Sequence, residues 1–271
     1  MWSPAPLDRR GVVQLALGAG YLLAIGAAVQ IIERYFSNPM TSTMGAAVAV
    51  GFVAGHLGLE SKEQGGPTLR RALRGAALGL VPVLAATLVG LLLGGRLAPV
   101  PGGASVGAIF GVAQAAAGAY KAEVWLHGLP LLFARRARLA PIWGVVFAVV
   151  AGVAAAAGAW RGGFTPGGVT LTLVSGVALS LLWLRADNPW VPVAAHGVWL
   201  WCLEGLFTGD LWSLELATGR LSTGLGAAGA PAWAAALGFA AVAAVALLRP
   251  SLLGSPATVP APPSDDGETP P

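Results

Sequence analysis

Apolar residues gather along this chain in long blocks, separated by short stretches that carry most of the charged positions. A helix needs about 20 mostly apolar residues to cross a bilayer. Measured against that length, the blocks near 11–32, 40–59, 75–94, 104–133, 141–160, 168–185, 189–207 and 231–248 predict eight transmembrane helices. The fourth block is too long for a simple span and holds Lys121, Glu123, His127 and Pro130. It is expected to tilt, or to break near Pro130, where the ring removes a backbone donor.

Basic residues in alternate connections orient the bundle. One side receives Arg9, Arg10, Lys62, Arg70, Arg71, Arg74, Arg135, Arg136, Arg138, Arg185 and Arg249, which makes eleven. The other receives Arg34, Arg96, Arg161 and Arg220, which makes four, with Lys121 inside a span. The richer side is expected in the cytoplasm, together with both ends of the chain, and an odd number of spans would scramble the asymmetry. Arg9 and Arg10 precede an apolar stretch as in a signal peptide. At 11–32, however, that stretch exceeds the roughly 7–15 residues of a signal-peptide core and is expected to stay as the first helix.

Composition agrees with a bilayer as solvent. Of 271 residues 56% are hydrophobic and 10% charged, against roughly a quarter charged in soluble domains. A net charge of +4 comes from basic residues at the ends of apolar blocks, so it reads as membrane topology and argues against a nucleic-acid partner. Cys202 is the single cysteine, which excludes an intramolecular disulfide. Glycine supplies 39 residues, with small-xxx-small pairs at Gly51/Gly55, Gly75/Gly79 and Gly90/Gly94 that let helices approach closely in lipid. Residues 1–254 read as one multi-pass domain in contact with membrane lipids. From Ser255 to Pro271 the chain turns to Pro, Ser, Asp and Glu, and this tail is expected to be disordered.

Ionisable groups inside a span are costly, and here they are few. Lys121, Glu123 and His127 lie in the fourth block, His196 and Glu204 in the seventh, and His56 in the second. Glu123 and His127 are four apart and share one helix face. His127 lies about 11 Å, and His196 about 12 Å, from the expected cytoplasmic end, at 1.5 Å per residue. Glu123 is one turn deeper. Spacing thus places three groups capable of acid–base chemistry at one depth, in a cavity facing the cytoplasm. The alternative is a buried pair of Glu123 with Lys121 or His127 that pins helices together. His56 falls near the interface, Glu204 near the outer surface, and Trp190, Trp199, Trp201 and Trp212 read as an interfacial belt. The basic clusters at 70–74 and 135–138 orient the chain and offer a secondary possibility of lipid-headgroup binding. Three His spread over three blocks argue against a zinc site, and no cofactor is implied.

Two stretches resemble the CPBP family, which comprises CaaX prenyl proteases and bacteriocin-processing membrane endopeptidases. Ala122-Glu123-Val124-Trp125-Leu126-His127-Gly128 is set against the family's Glu-Glu-x-x-x-Arg-Gly. NPWVPVAAHGVWLW, from Asn188, is similar to its Trp-x-Pro…His-x-x-x-Asn helix. Phe147 to Ala151 sits where the family has Phe-x-x-x-His, and LSTGLGAAGAP (221–231) looks like its glycine-rich turn before the last helix. The resemblance covers about 113–248. It implies an all-α, eight-helix membrane bundle in which Glu and His activate a water for peptide-bond hydrolysis.

Position by position, the resemblance carries over an incomplete set. The first Glu of the pair is Ala122, the Arg is His127, the first His is Ala151, and the Asn four after the second His is Leu200. Glu123 and His196 remain. Two expectations follow from this. One is an intramembrane endopeptidase with a rewired site, Glu123 as base beside His127 and His196, acting on a membrane-bound peptide or protein. The other is a catalytically silent relative that binds such a peptide or protein as a scaffold or immunity-type protein. A small-solute transporter is the weaker third, since no inverted repeat is evident.

Overall fold

The computed structural model describes residues 4–59, 66–100, 105–159, 162–186, 188–207, 212–217, 221–222 and 224–253. The 255–271 tail, and Lys62, Arg161 and Arg220, fall outside the described residues. Within them every apolar block is helical. The α-helices are α1 (Arg9–Tyr35), α2 (Pro39–Leu57), α3 (Gly66–Leu92), α4 (Ser105–Ala122), α5 (Leu129–Arg136), α6 (Pro141–Ala159), α7 (Pro166–Ala186), α8 (Trp190–Leu200) and α9 (Gly229–Leu248). Local chemistry sets several boundaries. Asp8 Oδ1 accepts from Gly11 N at 2.7 Å to cap α1. Asn38 Oδ1 accepts from Met40 N and Thr41 N ahead of α2, with Pro39 at the first position. Gly58 closes α2 at φ 73°, a left-handed conformation that glycine adopts without penalty.

Six helices, α1, α2, α3, α6, α7 and α9, are long and apolar enough to cross a membrane. Their outward side chains match that setting: Leu23, Val48, Phe52, Leu92, Leu237 and Leu248 are each more than 70% exposed. In water so large an apolar surface would drive aggregation, whereas in lipid it is solvated. The chain thus has the features of a multi-pass helical membrane protein.

The remaining two rods contain π-helical segments. Glu123–Gly128 joins α4 to α5, and Trp201–Leu206 extends α8. The fourth block therefore does not break near Pro130. The helix widens one turn earlier, with Leu129 N bonding to Val124 O, five residues back. Pro130 follows among the first residues of α5, where its missing N–H does least harm.

Cross-chain contacts define the two ends of the bundle. At one end Ala5 N bonds to Arg138 O, Arg136 Nη2 to Leu57 O and Arg71 Nη1 to Ala186 O. At the other, β1 (Arg96–Pro99) pairs antiparallel with β2 (Trp212–Glu215), Arg96 opposite Glu215. This two-stranded ribbon departs from the purely helical expectation. Nearby, the Thr165 hydroxyl donates to Ala227 O and so ties the start of α7 to the approach of α9.

Two apolar cores stand side by side. One gathers Val83, Leu171, Leu179, Leu182, Val191, Trp199, Phe239 and Val242 from α3, α7, α8 and α9. The other gathers Ile25, Val50, Val124, Leu129, Phe133, Val145 and Trp183 from α1, α2, the first π segment, α5, α6 and α7. Small residues set the closest crossing. A Cβ on Gly75 or Gly79 would fall inside the carbonyl groups of Val191 and Ala195 respectively, so α3 and α8 meet backbone to backbone. The other glycine pairs differ. Gly51 faces Tyr120 at ordinary contact distance, Gly55 is exposed, and Gly94 turns the chain after α3 at φ 88°. Trp199 belongs to no interfacial belt: it is 3% exposed and packs edge-to-face on Phe239, centroids 5.2 Å apart.

Candidate functional site

The junction of the two cores is polar. Glu123 opens the first π segment and is completely buried. Its Oε1 lies 2.7 Å from His196 Nδ1 of α8 and 3.8 Å from His127 Nε2, one turn along its own rod. Its Oε2 accepts a 2.9 Å hydrogen bond from Trp183 Nε1 of α7. The tertiary structure therefore brings Glu123, His127 and His196 together, and both oxygens of the carboxylate are engaged. Burying a carboxylate is tolerable only with such compensation.

Neighbouring groups order the two imidazoles. Ser180 Oγ donates to Gly176 O at 2.8 Å, and a hydroxyl has one proton. The 3.0 Å contact between Ser180 Oγ and His127 Nδ1 is then donated by the histidine. For His196, the acceptor carboxylate places the proton on Nδ1 and leaves Nε2 as a bare acceptor. His196 is also the most accessible of the three, its side chain 18% exposed against 6% for His127 and none for Glu123.

Helix packing holds this geometry. Ala195, the neighbour of His196, is the residue whose carbonyl seats against Gly79, so the α3–α8 crossing fixes the depth of the imidazole. Gly128 lies under the Trp183 ring, where a Cβ would stand 3.1 Å from it. Ser180 and Trp183 were not anticipated from the sequence. Their signal was faint: a hydroxyl and an indole three residues apart, hence on one face, in an apolar block.

Other expected residues lie elsewhere. Lys121 pairs with Glu33 of α1 at 2.6 Å, not with Glu123. His56 is exposed at the end of α2. The side chain of Glu204 lies outside the described residues. Cys202 is buried and free. Among the described residues no group of three His, Cys, Asp or Glu side chains is arranged to hold a metal ion.

Chemically, the cluster can do two things. It can lock three rods through a shared, buried carboxylate. It can also offer His196 Nε2 as a base, with the ring oriented by Glu123 through Nδ1, the relation that an acid–histidine pair has in a catalytic triad. Ser180 completes no such triad, because it is fully buried and its proton is committed to Gly176. Compared with protein-family models, curated proteins and solved structures, the chain matches none.

Proposed function

We propose that this chain is a multi-pass cell-membrane protein of the CPBP type, with eight spans and both ends in the cytoplasm, whose hydrolytic centre has become a helix lock. In this reading it binds a membrane-bound peptide or protein and does not cut it. The engagement of both oxygens of a fully buried Glu123 carries the proposal. A general base must meet the water it activates, and this carboxylate is occupied on each side by an N–H donor. Ala122, Ala151 and Leu200 supply no substitute, since none can ionise or donate to an oxyanion. The Nε2 edge of His196, not taken by Glu123, gives the binding role an acceptor for a backbone N–H of the occupant.

A second reading rests on that same edge. If hydrolysis persists, His196 is the base and Glu123 its orienting partner, which reverses the assignment expected from the sequence. The test is cleavage of a membrane-embedded reporter peptide by the purified protein. No cleavage by the native chain supports the helix lock. Cleavage abolished by His196→Ala and by Glu123→Gln, with folding intact, replaces the lock with the rewired protease.

A further inference from the structure

A cleft of about 400 Å³ opens where the start of α1 meets the end of α5, lined among others by Asp8, Arg10, Gln14, Arg136 and Arg138. A groove of about 530 Å³ adjoins it along Asp8, Arg10, Val13 and Gln14. Three arginines line the cleft against one aspartate. That carboxylate is already in use, since Asp8 Oδ1 caps α1 through Gly11 N.

The arginines are placed by the fold. Arg136 donates from Nη2 to Leu57 O at 3.1 Å, and its guanidinium stands 5.5 Å above the Phe133 ring. Arg138 occupies the left-handed region at φ 56°, where a helix-terminating turn ordinarily carries glycine. Its carbonyl accepts from Ala5 N at 2.9 Å, which stitches the segment before α1 to the rim of the cleft. Among the described residues Arg138 is the one non-glycine residue with positive φ. A side chain kept at a strained position beside two other cations points to a function for that side chain.

We propose that this cleft binds a phosphate group, with Arg10, Arg136 and Arg138 as its ligands. Planar guanidinium groups match phosphate oxygens in bidentate fashion. The wall favours the phosphate of an anionic phospholipid over a soluble one. Val13 lines the groove, and Val12, Val13 and Leu17, each close to half exposed, continue down the lipid-facing side of α1, where acyl chains would run. The inference rests on the membrane setting and is independent of whether the Glu123 cluster hydrolyses anything.

The experiment uses the full chain, delipidated in a non-ionic detergent, with three probes: dihexanoyl phosphatidylglycerol, dihexanoyl phosphatidylcholine and inorganic phosphate. Affinity is read by titration and stability by thermal melting. Phosphatidylglycerol is expected to bind and to raise the Tm, less so at high salt, while phosphatidylcholine does neither. The double variant Arg10→Gln/Arg138→Gly is expected to lose about tenfold in affinity with a melting point no lower than the native chain's in the absence of lipid. Arg70→Gln, an exposed cation at the same end but outside the cleft, is the control that keeps native affinity. Inorganic phosphate binding with the same dependence on the variants, and no added affinity from phosphatidylglycerol, assigns the site to a soluble phosphate. Binding equal in all three proteins, or absent with every probe, overturns the proposal.

Discussion

His196 Nδ1 lies 2.7 Å from Glu123 Oε1, although 73 residues separate them in the chain. That one bond joins α8 to the π segment between α4 and α5, and Trp183 brings α7 to the same carboxylate. The cluster thus belongs to no single helix, and its strength can be measured by dismantling it in steps.

Removing the carboxylate should cost far more than neutralising it. Glu123→Ala strands the Trp183 N–H and the His196 Nδ1–H, and about 3–5 kcal/mol of stability is expected to go, by analogy with other broken buried pairs. Glu123→Gln keeps an acceptor for Trp183 and a donor for His196, and is expected to cost about 1 kcal/mol. Thermal melting in detergent gives both values. Equal losses would mean that the charge, rather than the hydrogen bonds, holds the junction.

Glu123 and His196 should also fail additivity. A double-mutant cycle with Glu123→Gln and His196→Ala is expected to show a coupling of about 0.5–3 kcal/mol, the range for residues in contact. A coupling near zero would remove the 2.7 Å contact from any account of stability or function.

The α3–α8 crossing yields a paired prediction. Gly79→Leu must push the Ala195 carbonyl aside and is expected to lose at least about 1–3 kcal/mol, the cost of overpacking. It should also disturb His196 next door. Gly55→Leu places its side chain on an exposed face of α2 and should leave the melting point within experimental scatter. Similar losses for the two would contradict the packing of these helices.

Arg138→Gly alone should stabilise the fold by about 1 kcal/mol or slightly less, because relief of the left-handed strain exceeds the entropy that glycine adds to the unfolded chain. Loss of stability would show that the Arg138 side chain, and not only its carbonyl, holds the turn.

The proposed orientation is open to cysteine labelling on a Cys202→Ser background. Single cysteines at 70 and 138 are expected to react from the cytoplasmic side, and one at 97 from the opposite side. The reverse pattern would overturn the orientation drawn from eleven against four basic residues.

How far the sequence reached follows from the solvent. In a bilayer each segment must satisfy its backbone groups internally, so an apolar block of sufficient length has only a helix open to it. That is why the blocks from 11–32 to 231–248 each coincide with a helical rod. Caps such as Asp8 and Asn38 act within three residues and are equally local. Glu123 and His127 are neighbours by helical period, so their proximity was legible too. His196 was expected at the same depth, but depth alone does not choose a neighbour.

The interior was decided by packing. Lipid is as apolar as the core, so hydrophobic pattern does not tell an inward face from an outward one. Gly55 and Gly79 look alike in sequence, yet one is exposed and the other seats on the Ala195 carbonyl. Trp199 reads as an interfacial residue and is core. Lys121, two positions from Glu123, points off its shared helix face and finds Glu33 on α1 instead. Ser180 and Trp183 became partners of His127 and Glu123 only when α7 docked against the π segment. Local sequence settled which segments are helical, because the bilayer permits little else. The choice of which polar groups meet was left to the crossing of four rods, because each buried group had to find its partner across the chain.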